Sequence, residues 1–320
     1  VNTRIATEAD IPAIIDLLKL SLGESLMPKT EAFWRWKHME NPFGPSKVIL
    51  AEEKGQLIGL RAFMQWTYRI EGKTYHGLRA VDTATHPEHQ GKGIFKKLTL
   101  SLIDSCKAEG DHFIFNTPNE KSKPGYLKMG WFETGKMPLK LSLNRPFQIL
   151  TNKIFKKSIP TDLADLPPSD WEKLLQILQG KNLPTARHGI LKDIPFLLWR
   201  YGQCPMFPYH YLTDQKTYLL VYRLKAQAMG VELRLADFFL LEKDWDKGHF
   251  KKSLKQLQKA EKVAFTSYSG WMQRNLPLPG LGLIPVMHVG PELVFRDIQM
   301  GAELPLLQKI EYSIGDLEVF

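Results

Sequence analysis

The sequence predicts an α/β (α+β) chain of two lobes built to one plan. Three observations carry that reading. Alternating apolar and polar runs pair as hairpins early in each half, and a strand–loop–helix unit follows them. The same order of elements then returns at an offset near 162 to 165 residues. At 320 residues the chain suits two lobes of about 150 residues each. Its 43% hydrophobic and 24% charged content gives a core large enough to need neither disulfide nor metal.

In chain order, Arg4-Ile5-Ala6 is a short strand, and Asp10 caps a helix with Pro12 in its first turn. Ile11, Ile14, Ile15 and Leu18 give that helix one apolar face. Phe33 to Lys37 is a second short helix, ended near Asn41-Pro42 and the Gly44-Pro45 turn. Lys47–Glu53 and Gln56–Phe63 form a hairpin about Lys54-Gly55; Thr67–Ile70 and Lys73–His76 form another about Glu71-Gly72. Leu78 to Thr85 is a strand that stops at His86-Pro87, crosses a basic glycine loop and enters an amphipathic helix ended by Glu109-Gly110. His112–Asn116 is a strand, Tyr126–Met129 the end of a helix, and Trp131–Thr134 a strand again.

Residues 144–168 shift in composition, with Arg145-Pro146, Ile159-Pro160 and Pro167-Pro168, and Phe147 to Phe155 is open to a helical reading. They are read as a linker between a domain at 1–143 and one at 169–320. In the second domain Leu198-Trp199-Arg200-Tyr201 echoes Phe33-Trp34-Arg35-Trp36, and strands follow at Tyr209–Thr213 and Tyr218–Leu224. Val231–Phe239 stands in place of the strand before the glycine loop, and Lys251–Lys262 in place of its helix. Between them Glu242 to Gly248 holds one glycine and three acids, which cannot cradle a diphosphate. The second copy has therefore lost that seat.

The formal net charge of +9 is dispersed, with no long basic tract and no nucleic-acid-reading motif, so an anionic small ligand explains it more economically than nucleic acid. Cys106 and Cys204 are far apart and form no zinc-type pair, so no metal is expected and a reducing compartment is. The opening residues carry no apolar leader-like run and no stretch suits a bilayer, so the expectation is a cytoplasmic protein without a membrane partner. The loop itself is the chemical signal. Gly91 and Gly93 before a helix line up N–H groups that lack helical partners, and the helix dipole adds positive potential, which together make a seat for an anion.

Gln90-Gly91-Lys92-Gly93-Ile94-Phe95 resembles the acetyl-CoA signature of the GCN5-related N-acetyltransferase (GNAT) superfamily: Arg or Gln, two residues, Gly, one residue, then Gly or Ala. Asn119 followed by Tyr126-Leu127-Lys128-Met129-Gly130-Trp131 resembles a second pattern of that family. Phe95 departs from the signature; its ring either narrows the seat or points into the helix–sheet core. The resemblance covers residues 3 to 143 in detail and the rest as a degenerate echo. It implies two GNAT-like domains, each a mixed, mostly antiparallel twisted sheet flanked by helices.

It also implies an N-acetyltransferase that moves acetyl from acetyl-CoA, its donor cosubstrate, to a primary amine of a small molecule, protein or peptide by direct attack in a ternary complex. Backbone groups of Gln90, Gly91, Lys92, Gly93, Ile94, Phe95 and Lys96 would hold the diphosphate, with Lys92 and Lys96 adding charge. Thr83, Ala84 and Thr85 would pair with the pantetheine arm, Asn119 would contact the cofactor, and Tyr126 would protonate the departing thiolate. For the general base, Asp82, His86, Glu88 and His112 stand as candidates beside a water relay, and Trp34, Trp36, Trp66 and Tyr68 either line an acceptor pocket or fill the core. Two alternatives share the scaffold: a non-catalytic CoA-binding or sensing protein, and a transferase of another acyl or aminoacyl group. Acceptor and oligomeric state are not written in the sequence.

Overall fold

Lys54-Gly55 and Glu71-Gly72 both turn through positive φ (50° and 80°, then 50° and 85°), the two-residue turn whose twist matches that of paired strands. They set the frame of the first sheet. The structure, a computed structural model, describes residues 1–23, 29–155, 169–181, 183, 188–269, 281–286 and 290–317. In its first half, β1 (Asn2–Ile5), α1 (Ile11–Leu22), α2 (Glu31–His38), β2 (Lys47–Glu53), β3 (Gln56–Ile70) and β4 (Lys73–Thr85) lead into α3 (Ile94–Ala108). Next come β5 (Phe113–Asn116), α4 (Lys123–Lys128), β6 (Phe132–Lys136), β7 (Leu139–Leu143) and α5 (Pro146–Phe155).

Both expected hairpins form, but the strands expected as separate pieces are continuous: Gln56–Phe63 and Thr67–Ile70 are one strand, as are Lys73–His76 and Leu78–Thr85. β3 and β4 run without a break, paired from Gly59↔Thr85 to Ile70↔Lys73. Met64 and Trp66 are buried and carry the alternation through the expected gap. Gly77 does not interrupt β4, because the Tyr68 and Phe113 rings occupy the place of its missing side chain. α5 realises the helical option of the linker, whereas Ile159-Pro160 and Pro167-Pro168 lie outside the described residues.

The second half holds α6 (Trp171–Leu178), β8 (His188–Ile190), α7 (Ile194–Leu197), β9 (His210–Thr213), β10 (Tyr218–Gln227), β11 (Gly230–Leu240) and α8 (Lys247–Ala260). β12 (Val263–Ser269), β13 (Leu281–Val286) and β14 (Glu292–Asp297) follow. Asp246 caps α8, its carboxylate accepting from the His249 N–H, so an acid already sits where an anion would bind.

The halves do not keep their strands to themselves. The first sheet runs β1-β2-β3-β4-β5-β14-β6, with β8 beside β3, and the second runs β13-β7-β12-β11-β10-β9. β14, from the end of the chain, thus fills the slot between β5 and β6, while β7, from the first half, lies between β12 and β13. The sequence boundary at 143 marks chain order, and each sheet crosses it.

The segments Phe33–Trp36 and Leu198–Tyr201, read as echoes of each other, meet in one reciprocal contact. The Trp36 indole N–H donates to the Trp199 carbonyl at 2.7 Å, and the Trp199 N–H donates to the Trp36 carbonyl at 2.7 Å, across 163 residues. Their rings stack at 5.2 Å. Around them Met64, Trp66 and Tyr68 pack with Tyr201, Leu219, Val221 and Phe239 in a core shared by both halves. On the same face of the first sheet, α1 and Trp34 cover Val48, Leu50, Leu60 and Ala62. On the other face, Ile94, Leu98, Leu102 and Cys106 of α3 cover Ile49, Phe63, Leu78 and Ile114. Among the described residues no helix is long and apolar enough to cross a membrane.

Candidate functional site

Gly91 and Gly93 both adopt φ +76°, a conformation that L side chains rarely take. Gly93 is the N-cap of α3, so the amides of its first turn face outward from the loop. A side chain added at either glycine would meet nothing within 4 Å, so the loop opens onto free space. Lys92 and Lys96 are exposed beside it, and Gln90 reaches back to the Thr85 carbonyl at 3.4 Å.

Beside the loop the sheet parts. The parallel ladder between β4 and β5 runs from Gly77↔Phe113 to Arg79↔Phe115 and stops. Beyond it Thr83, Ala84 and Thr85 pair only with β3, on their other side. No strand pairs with their β5-facing edge, which leaves backbone groups of this stretch for an extended ligand, while the Thr85 carbonyl already accepts from Gln90 and Ser21 Oγ. The glycine loop lies at the mouth of this opening, and Arg79 at its vertex.

α4 stands on the α3 side. Asn119 Oδ1 accepts from the Ser122 N–H at 2.9 Å, so this asparagine builds the turn into α4. One turn on, Tyr126 is buried, its ring edge-on to Phe95 (5.6 Å) and Trp131 (5.2 Å). Phe95 is thus directed into the α3–α4 packing, and the second of the two orientations open to it in sequence is the one adopted.

On the opposite face of the sheet lies a cluster that the sequence did not announce. The Asp82 carboxylate takes the Lys37 ammonium at 2.7 Å and His38 Nε2 at 2.8 Å. Asp82 sits on a bulge, where the β3–β4 register shifts between Arg61 and Ala62, and its φ is +27°. Burial alone would raise its pKa, yet Lys37 and His38 together hold the carboxyl well below the usual range. Burial lowers the pKa of His38, which keeps the imidazole neutral; Asp82 opposes that shift without cancelling it. Nδ1 of His38 is buried and has no hydrogen-bond partner.

Of the candidate bases, Asp82 alone belongs here. Glu88 is exposed, and His86 is half-buried, in the turn before the loop, where its Nδ1 accepts from the Glu88 N–H. His112 lies by the start of β4, with Nδ1 accepting from the His76 N–H at 3.0 Å. Among the four aromatics, Trp34 lines a small pocket that ends on His38 and Asp82, while Trp36, Trp66 and Tyr68 fill the shared core. His38 was missed because a histidine in a short amphipathic helix beside Arg35 and Lys37 has no diagnostic neighbour; only its i, i+4 spacing from Trp34 hinted at a shared face. A second cavity, of about 550 Å³, takes its walls from both halves, among them Met137, Leu293, Phe295, Ile310 and Tyr312.

Residues 2–133 match the family model for the acetyltransferase (GNAT) domain. The L-amino acid N-acyltransferase MnaT of Escherichia coli is 30% identical over 97 residues, 28% of this chain and 53% of that protein. An L-methionine sulfoximine/L-methionine sulfone acetyltransferase of Salmonella typhimurium is 30% identical over 100 residues, with the same shares of 28% and 53%. The chain spans about half the length of these curated relatives. Among solved structures, a GCN5-related N-acetyltransferase from Anabaena variabilis superposes with a TM-score of 0.63 at 13% identity, covering 93% of this chain and 74% of its own. A probable N-acyltransferase from Enterococcus faecalis superposes at 0.64 with 12% identity, covering 95% and 74%. At such identities the likeness is one of fold, and it extends over nearly the whole chain.

Proposed function

We propose, on the match of residues 2–133 to the acetyltransferase (GNAT) domain model, that the chain is an N-acyltransferase that moves acetyl from acetyl-CoA to a primary amine. One observation carries the proposal: the β4–β5 opening meets the glycine loop at one end and lies between Tyr126 on one face and the His38–Asp82 pair on the other. Amides of Gly91 to Lys96, with the charges of Lys92 and Lys96, suit a diphosphate. The free edge of Thr83 to Thr85 suits the amide-bearing pantetheine arm, and Asn119 shapes the α4 turn beside it.

The thioester supplies an acyl group whose C–S bond breaks as the amine forms the new C–N bond. Around that exchange the protein must take one proton from nitrogen and give one to sulfur. His38 is the acceptor: its Nε2–H donates to Asp82, which leaves the Nδ1 lone pair free, and Lys37 keeps Asp82 ionised. Tyr126 is the donor, a phenol on the other face of the same gap. Placing acid and base on opposite faces gives donor and acceptor separate entrances. The two curated relatives carry amino-acid amines in their names, so free amino acids are the first acceptors to try.

The test is acyl transfer from acetyl-CoA to a panel of amino acids, amines and peptides, together with equilibrium binding of CoA. Binding without turnover on any acceptor would favour a CoA-sensing role, and absence of binding would end the proposal.

A further inference from the structure

Arg61 is the one arginine among the described residues whose three side-chain nitrogens are all buried without a hydrogen-bond partner. The residue is 0% exposed. Its position is no accident of a loop: it lies within β3, opposite Thr83 of β4, on the face covered by α3 and α4. In place of hydrogen bonds it has three rings. The guanidinium carbon stands 4.9 Å from the centre of Phe63, 5.5 Å from Phe95 and 5.3 Å from Tyr126.

Other buried arginines of the chain do better. Arg79 donates to the Asp316 and Leu317 carbonyls, and Arg200 donates to the Gly315 carbonyl and the Tyr209 hydroxyl. A guanidinium offers five N–H groups in a fixed fork, and burying them unmatched costs several kcal/mol, of which ring faces return only a part. A methionine or leucine would fill the same space without that cost. The charge is retained where it can be used. It lies next to the phenol that the proposed reaction places by the sulfur, and under the first turn of the helix that starts the anion seat.

Resting on that reading of the site, we propose that Arg61 is a preformed receptor for negative charge at the reacting end of the thioester. Phe95 is the side chain that covers it until the donor enters. The charge has two sources in thioester chemistry: a carboxylate carried by the acyl group, or the sulfur that receives the electron pair of the breaking C–S bond. Neutral acetyl and pantetheine groups alone would leave the guanidinium unmatched. A planar fork matches a carboxylate in bidentate fashion and can equally face a thiolate.

The experiment compares wild type, Arg61→Met and Arg61→Lys, as the full chain, in thermal melting and in calorimetric binding of acetyl-CoA, succinyl-CoA and CoA. Arg61→Met is expected to melt no lower than wild type, since it removes an unmatched charge. If the acyl carboxylate is the occupant, wild type prefers succinyl-CoA to acetyl-CoA by ~10-fold or more and Arg61→Met loses that preference. If sulfur is the occupant, acetyl-CoA binds both proteins alike, while CoA binding tightens with rising pH in wild type and not in Arg61→Met. Arg61→Lys, which keeps the charge and loses the fork, retains the second behaviour and not the first. Equal binding of all three ligands at every pH, with a lower melting temperature for Arg61→Met, would make Arg61 a packing residue and overturn the proposal. Failure of wild type to bind any of the three would instead remove the CoA reading on which it rests.

Discussion

At the scale of single residues the site is a matter of protonation. Tyr126 and His38 face one opening from opposite sides, and their substitutions should fail differently. Tyr126→Phe keeps the ring edge-on to Phe95 and Trp131 and removes the proposed acid. Turnover should fall by ~10²-fold or more with CoA affinity unchanged, as measured by steady-state kinetics and calorimetry. His38→Gln should abolish a pH dependence. Burial depresses the His38 pKa, so the neutral base is present at and above the usual histidine range and is lost as pH falls beneath it. kcat/KM should therefore decline on the acid side in wild type, and the limb should vanish in the variant. A profile left intact in His38→Gln would remove His38 from the mechanism. The Tyr126 half of this was legible in the sequence, through its spacing from Asn119 and the family resemblance, whereas His38 was marked only by its i, i+4 spacing from Trp34. Asp82 was visible only as one acid among several, because the bulge that turns it toward α2 depends on a register shift between strands.

Elements tell the opposite story, since nearly all of them follow from local pattern. Apolar period and glycine stops place α1, α3 and the β2–β3–β4 meander close to where they stand, although the Asp10 carboxylate, expected to cap α1, accepts from Arg4 and Thr7 instead. The misreading at Met64 to Trp66 came from a polar Gln65 inside a strand whose alternate residues are wholly buried. What pattern could not supply is the closeness of packing at chosen glycines. A Cβ at Gly59 would lie 2.6 Å from Ile94 Cγ2 and 3.1 Å from Leu98, so α3 rests on β3 at a point that tolerates no side chain. Gly59→Ala should lose roughly 1–3 kcal/mol in denaturant unfolding and loosen the start of α3, weakening CoA binding with it. Stability lowered without any effect on binding would mean that the helix start is held independently of its seat.

For the molecule as a whole, the halves are joined by Arg79 as well as by strands, its guanidinium donating to the Asp316 and Leu317 carbonyls beside a buried charge cluster of the second half. Lys192 from the second half lies between Asp237 and Asp316 at 2.6 and 2.7 Å, all of them buried, and Tyr201 donates to Asp237. Burial, with Asp316 adding to it, pushes the Asp237 carboxyl up to about 6 although Lys192 pulls the other way. The folded chain thus holds a proton that the unfolded chain releases near pH 4. The contribution of Asp237 to stability is full below that pH and falls as pH rises through about 6. Asp82 and His38 have the reverse sign: both pKa values are lowered, so their contribution is present at neutral pH and lost on acidification. Denaturation midpoints of Asp237→Asn should lose the decline between pH 4 and 6 that wild type shows from this group, and an unchanged slope would place the proton elsewhere.

The exchange of β7 and β14 has a consequence for how the protein is made. The sheet that carries the glycine loop has a vacant slot between β5 and β6 until residues 292–297 leave the ribosome. At 5–20 residues per second that is roughly 8–30 s after β6 has emerged. Residues 1–143 expressed alone should therefore give no cooperative melt, and a well-folded fragment would show that the slot can be left empty. A chain cut short by damage or a stalled message would own every motif of the site and still lack the sheet that aligns them. The sheet that aligns the site is incomplete until residues 292–297 are made, so the topology itself screens out copies cut short before them.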